Sequence, residues 1–342
     1  MRDVDALAVP GGGQLDDYWG GAWRTPYAIF KWTLLARLRR LPFVVLSVGA
    51  GTVEGGMGPR MTRFFLRQAL RSARYVSYRD SRTAGFAAAA HLSRTARVVP
   101  DVAFGHDARL AERGVGPETK TVALSPISYL NPACWPIGDA DAYAAYVERT
   151  TTLACSLRDA GFRVLLCTSD GPDRAALADV LERIEAVSPG SLGSAELVSR
   201  DTPTNESLFA CFDESDVVVA SRLHGLILAN LRGKPTVALS YDWKVDEHMR
   251  QMGLERYVRA IDSFDPAETV TAVERAYADR ASIGDAVLAT CARFDVEVQR
   301  QFDAVVGLLQ PTASGERATA PGIEAADSRE SLPREVRRAG VE

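Results

Sequence analysis

Long apolar runs are missing from this chain of 342 residues, and none approaches the roughly 18 to 20 consecutive apolar residues that a membrane-spanning helix requires. The opening stretch MRDVDALAVPGGG also lacks the apolar core of a secretory signal, so neither a span nor an export signal is visible. Cysteine is scarce: Cys134, Cys155, Cys167, Cys211 and Cys291 are odd in number, and no CxxC or Cys/His spacing links them. That pattern excludes a disulfide framework, offers no zinc site or other metal set, and fits a reduced, cytoplasmic compartment. A positive excess is absent too. With 40 Lys and Arg against 44 Asp and Glu the formal net charge is -4, which argues against nucleic acid as a principal partner. Any anion has to be held by a local cluster.

What remains is an ordinary globular composition, 46% hydrophobic and 25% charged. The length predicts two domains, and the alternation of strand-like and helix-like segments predicts that both are α/β, Rossmann-like and doubly wound around parallel sheets. Residues 1–107 form the first by this reading, 108–119 a polar linker, 120–309 the second domain, and 310–342 a disordered tail rich in Pro, Gly, Ser, Glu and Arg.

One stretch carries the chemistry. Asp216 to Lys244 reads DVVVASRLHGLILANLRGKPTVALSYDWK, with a β-branched run at Val217–Ala220, helical spacing through Leu223, Leu226, Ile227 and Leu231, and a second strand-like run at Thr236–Leu239. Ser221 stands where an N-cap belongs, Gly233 where the helix should end, and Pro235 cannot continue it. The result is a βαβ unit, whose parallel strands deliver their C-terminal ends to one rim of the sheet, where open α/β sheets bind ligands. Arg222 and His224 leave one strand end and Lys244 the other. Neighbouring strands about 4.8 Å apart would bring the three together beside the free N–H groups of the helix that Ser221 opens. The arrangement suits an anion; the alternative for Arg222 and His224 alone is a satisfied cap and a packing histidine.

Further candidates lie upstream. Gly11, Gly12 and Gly13 follow a strand at 5–9, where glycines let backbone approach a ligand or simply make a tight turn. Arg79 ends a strand at Tyr75–Tyr78, followed by Asp80 and Ser81; it is either a further anion ligand or a surface ion-pair partner. Asp101 follows a strand at Arg97–Val99 and either orients a hydroxyl or makes an Asx turn. Ser128, Tyr129 and Asn131 occupy the loop after a strand at Thr121–Ser125 and are expected to line the cleft. His248, a turn beyond Lys244, is expected to be a solvated helix residue. A helix over 26–40 ends in Arg37, Arg39 and Arg40, a charged end facing solvent or one attracted to anionic lipid head groups.

SRLHGLILA followed by GKPTVALSYDWKV resembles the most recognisable block of the polysaccharide pyruvyl transferase family. Gly11 to Leu15, the YRDS segment at Arg79 and the PDVAF turn at Asp101 are similar to further segments of that family, over 11–258. The resemblance implies the two-domain architecture of GT-B glycosyltransferases, with the cleft between the domains. It implies that Arg222, Leu223 and His224 hold phosphoenolpyruvate and that Lys244 completes the site. Family members carry another β-α segment before the glycine run, so the resemblance also implies a shortened N-terminal domain on the acceptor side.

By this resemblance the chain moves the enolpyruvyl group of phosphoenolpyruvate onto a saccharide acceptor, free or lipid-linked, as a pyruvate ketal, with no cofactor. His224 and Lys244 both stay open as the residue that protonates the methylene, histidine being the residue type suited to proton transfer near neutrality, and Arg222, Lys244 and the helix end suit the phosphate and carboxylate. The implied place of work is the cytoplasm, extending to the inner face of the membrane through peripheral contact. Two other readings stay open: a GT-B-like glycosyltransferase using a nucleotide sugar, and a saccharide-binding protein without turnover.

Overall fold

A computed structural model describes residues 4–18, 20–50, 57–92, 97–106 and 120–310. The expected linker at 108–119 and residues 311–342 of the expected tail lie outside the described residues.

The first sheet is built from β1 (Leu7–Pro10), β2 (Phe43–Val48) and β3 (Tyr75–Tyr78), all parallel and in chain order. Helices α1 (Thr25–Leu38), α2 (Met57–Ser72) and α3 (Ser81–Ala89) connect and follow them. The predicted strand at Arg97–Val99 reduces to one bridge between Tyr78 and Val98, because the chain turns away at Pro100. Every residue of β2 is buried, in keeping with its uninterrupted apolar run.

The second sheet has six parallel strands: β4 (Thr121–Ser125), β5 (Arg163–Leu166), β6 (Leu197–Ser199), β7 (Val217–Ala220), β8 (Thr236–Ser240) and β9 (Val258–Ala260). Their order is β6-β5-β4-β7-β8-β9, so chain direction across the sheet reverses between β4 and β7. That reversal opens a crevice outside the carboxyl ends of β4 and β7, the natural ligand position of such a sheet. The connecting helices are α4 (Ala140–Asp159), α5 (Arg174–Val187), α6 (Asn205–Asp213), α7 (Leu223–Leu231) and α8 (Trp243–Gln251), with α9 (Pro266–Ala278) after β9. Several begin where the sequence places an aspartate: Asp139, Asp242 and Asp265 each accept a first-turn backbone N–H.

The last helix among the described residues, α10 (Arg280–Leu309), runs for 30 residues, about 45 Å, and crosses from the second sheet back to the first. Near its end Phe302, Val305, Leu308 and Leu309 pack on Val44, Leu46 and Tyr75 of β2 and β3. Gln301 is buried there, donating to Ser47 Oγ at 3.1 Å and accepting from the Ser77 hydroxyl. Ser47 adopts a φ of 49°, and the β2–β3 register shifts beside it. A non-glycine residue in that region costs about 1 to 3 kcal/mol and persists only where its surroundings hold it; here Ser77 Oγ accepts the Ser47 N–H at 2.7 Å and Gln301 holds both hydroxyls.

His248 departs from expectation. It is buried, its Nε2 lies 2.8 Å from Asn230 Oδ1, and its ring stacks on Phe104 at 6.2 Å. The α8 face that bears it packs inward against α7, which periodicity alone does not reveal. Burial pushes the imidazole down to about 3, with Arg79 and His224 adding to the effect and Asp101 opposing it. An unfolded histidine titrates near 6.5. Because the folded value is the lower one, the stability it contributes is complete above about pH 6.5 and is lost as pH falls toward 3. Unfolding scans should show roughly 1 kcal/mol lost per pH unit within that window. His248→Gln should flatten the decline; an unchanged slope would place the titration elsewhere.

Candidate functional site

The crevice at the switch point is walled by the loops that leave β4, β5, β7 and β8. After β7 the chain enters α7 through Arg222, which is the N-cap, with φ -71° and ψ 129°. Ser221, expected in that role, sits one residue earlier with its side chain fully buried, and the Arg222 side chain makes no cap bond. Leu223 is the first helical residue and belongs to the core. Gly225 has a packing reason: a Cβ there would meet Ser169 Oγ at 2.9 Å, so glycine lets the β5 loop close onto α7.

Arg222 is anchored by a residue that sequence reasoning did not single out. Its Nε donates to Asp173 Oδ2 at 2.7 Å and its Nη2 to Asp173 Oδ1 at 2.9 Å, a forked pair with a carboxylate that is completely buried. Burial works against the guanidinium charge, but the bonds and the charge of Asp173 outweigh it and raise its pKa. Asp173 Oδ1 also accepts the backbone N–H of Ser128 at 2.9 Å. A clue was present in the acidic SDGPD segment at the end of β5, on a strand adjacent to β4.

Arg222 and Lys244 share a cleft of about 710 Å³. Lys244 lies in the first turn of α8, not on a bare strand end; its Nζ is 3.1 Å from Asp242 Oδ2 and 5.2 Å from the centre of the Tyr241 ring. Aromatic side chains face the two cations: Trp135 stands 5.9 Å from the Arg222 guanidinium and meets Tyr241 and Tyr129 edge-on. Ser128 and Tyr129 line the cleft as expected, whereas Asn131 is buried and its Oδ1 accepts the N–H of Ala133 within the loop. The first domain contributes Asp16 and Tyr18; the Trp135 indole donates to the Tyr18 hydroxyl at 3.0 Å. Burial raises the Asp16 pKa, and Lys244 opposes it.

His224 is not among the residues lining that cleft. Its ring is 56% exposed, and its Nε2 lies 3.9 Å from Asp101 Oδ2 in the first domain. Asp101 makes the Asx turn that the sequence allows, accepting from Ala103 N at 3.1 Å, and its second oxygen accepts from Arg79 Nη1 at 3.2 Å. Arg79 is therefore buried, not paired on the surface, and its Nη2 has no hydrogen-bond partner among the described residues. A Cβ on Gly49 would lie 2.4 Å from that nitrogen, so only glycine leaves room for the guanidinium.

The glycine turn joins the two groups. Gly11 and Gly12 take φ values of 44° and 71°; a Cβ on Gly11 would stand 3.7 Å from Asp101 Oδ1 and one on Gly13 3.4 Å from Asp16 Oδ2. One end of the turn thus abuts the Arg79–Asp101–His224 cluster and the other the cleft of Arg222 and Lys244. Two cations and an aromatic wall in the cleft can bind a small polyanion, and a histidine backed by a carboxylate can move a proton. Among the described residues no group of three or more His, Cys, Asp or Glu could hold a metal ion.

A sequence profile of polysaccharide pyruvyl transferases matches residues 2–242. No curated protein matches the chain. Among solved structures it is similar to a putative UDP-N-acetylglucosamine 2-epimerase from Listeria monocytogenes, with a TM-score of 0.57 and 11% identity over 91% of this chain and 76% of that one. It is also similar to the trehalose-6-phosphate synthase OtsA, with a TM-score of 0.53 and 13% identity over 85% and 78% of the two chains. A UDP-forming trehalose-phosphate synthase from Burkholderia xenovorans gives 0.52 and 13% over 84% and 79%. At such identities the likeness is one of fold, and it bears out the two-domain, Rossmann-like GT-B architecture.

The Arg222–Asp173 pair leads to a direct expectation. Asp173→Asn removes the carboxylate charge from a largely buried guanidinium, and breaking such a pair costs about 3 to 5 kcal/mol. Urea denaturation of the variant should read a loss of that size, and a loss below about 1 kcal/mol, the level of a solvated surface pair, would show that the fork does not anchor the loops.

Proposed function

The chain belongs to the polysaccharide pyruvyl transferase family, and from that membership we propose that it transfers the enolpyruvyl group of phosphoenolpyruvate to a saccharide, forming a pyruvate ketal. The observation that carries the reading is the meeting of Arg222 and Lys244 in one cleft that Asp16 of the first domain also lines, with the neighbouring glycine turn set against Asp101, which faces His224 and holds Arg79.

In this reading the second domain holds phosphoenolpyruvate and the first presents the acceptor. Lys244 and Arg222 bind its phosphate and carboxylate, and the Arg79 nitrogen without a partner offers a further donor. Arg222 is half committed already: Asp173 occupies Nε and Nη2, so the residue serves as a positioned donor more than as a free charge. His224 protonates the methylene carbon, with Asp101 stabilising the imidazolium that delivers the proton. One sugar hydroxyl then bonds to the cation-like C2, phosphate leaves carrying the proton of that hydroxyl, and a second hydroxyl closes the ketal as its proton returns to His224. Atoms and charge balance with inorganic phosphate as the by-product. The aromatic wall of Trp135, Tyr129 and Tyr241 limits water, which would otherwise convert the intermediate to free pyruvate. We further propose that the protein works in the cytoplasm, at the inner membrane face when its acceptor is lipid-linked.

Incubation with phosphoenolpyruvate and a saccharide should release phosphate and produce a ketal methyl signal by NMR. His224→Ala should lower kcat by about 10² to 10⁴-fold with little change in the KM for phosphoenolpyruvate. Arg222→Lys keeps a charge beside Asp173 but loses the fork, and should chiefly raise that KM, by about tenfold or more. Release of a nucleotide from a nucleotide sugar would favour the glycosyltransferase alternative instead, and binding without turnover the saccharide-binding one.

A further inference from the structure

Helix α1 is apolar on two sides. Ile29 and Ala36 face the core, with Pro26 and Thr33 beside them. Yet Tyr27, Leu34 and Leu38 fall within an arc of about 40° on the outer side, at roughly 100° per residue, Trp23 stands just before the helix, and all four are exposed, Trp23 at 64% and Leu38 at 71%. A surface helix of a globular domain normally turns a polar face outward. Trp32 at 45% and Phe64 of α2 at 48% widen the patch. A groove of about 1020 Å³ runs along α1 and β1, lined by Trp23, Tyr27 and Trp32 together with Arg24 and Lys31.

The charge around this patch has one sign. Residues 20–79 hold eleven Lys and Arg and a single acid, Glu54, whereas the remainder of the chain holds 29 Lys and Arg against 43 acids. Neither α1 nor α2 contains an acidic residue. Lys31 and Arg37 border the apolar stripe on either side, and Arg39 and Arg40 follow the helix end. A second copy docking face to face would bring cations against cations, which disfavours self-association. Exposed tryptophan and tyrosine among arginines and lysines match instead an interface where apolar tails meet negative head groups.

We propose that the outer face of α1, with Phe64 of α2, is a docking surface for an anionic phospholipid bilayer. Trp23, Tyr27, Trp32, Leu34 and Leu38 enter the head-group region, and Lys31, Arg37, Arg39 and Arg40 meet the lipid phosphates. The contact is peripheral, since no helix among the described residues is long and apolar enough to cross a membrane. The inference does not depend on pyruvyl transfer, although it would bring the cleft to a lipid-linked acceptor.

The test is flotation of the purified full chain with vesicles of phosphatidylcholine alone and of phosphatidylcholine with phosphatidylglycerol. The anionic vesicles should carry at least about tenfold more protein, and each arginine replaced by glutamine among Arg37, Arg39 and Arg40 should lower partitioning about fivefold. Trp23→Ser with Trp32→Ser should lower it further, and thermal melts check that every variant is folded. Turnover on a water-soluble acceptor should be unchanged in the arginine variants, which separates loss of docking from loss of catalysis. Equal binding to both vesicle types, no binding by the unaltered chain, or a dimer in light scattering that the tryptophan variant abolishes would each overturn the proposal.

Discussion

A single buried carboxylate ties together the rim on which the site is built. Asp173 receives two nitrogens of Arg222 from the β7 loop and the Ser128 N–H from the β4 loop, while itself sitting at the end of the β5 connection. Three strand-end loops therefore meet at one side chain, across the point where the sheet reverses direction. Loops are ordinarily the mobile parts of an α/β domain. Here the fork converts the crevice into a rigid wall, and the aromatic side chains of Trp135 and Tyr241 can hold fixed positions against it.

The first domain answers with a second carboxylate. Asp101 holds Arg79 at 3.2 Å and faces His224 across the interdomain boundary, and Gly49 makes space for the Arg79 guanidinium. Both domains thus supply charge along their boundary, the Arg79–Asp101–His224 cluster on one side of the glycine turn and the cleft of Arg222 and Lys244 on the other. Arg82 of α3 stacking 4.5 Å from the Trp243 ring adds a further bond between them, next to Lys244. Chemistry that needs a donor and an acceptor brought together is well served by such a boundary.

Much of this was legible in the residues. The strands at Tyr75–Tyr78, Thr121–Ser125 and Val217–Ala220 follow from buried apolar runs, and their bounds agree with expectation. The grouping of Arg222 with Lys244 follows from parallel neighbouring strands. What the sequence withheld was pairing at long range. Nothing local marks Asp173 as the partner of Arg222, because β5 reaches β7 only across β4. The cap at Ser221 was misplaced by one residue, since Ser and Arg can both precede a helix and burial decides between them. His224 turns toward Asp101 because the first domain stands there, a fact that no periodicity within the second domain contains. His248 was read from its polar neighbours, although its own face of α8 is the inner one.

The grip of Gln301 on Ser47 and Ser77 has a consequence for how the molecule comes into being. The kinked strand it steadies lies some 250 residues earlier in the chain, two positions before the glycine that seats Arg79. During synthesis that strand leaves the ribosome long before its clamp exists. The first sheet is therefore expected to wait in an unfinished form, and the boundary between the domains to settle only once α10 has emerged and swung back. Completion of the amino-terminal half is in this sense the last event of folding, although its residues are made first.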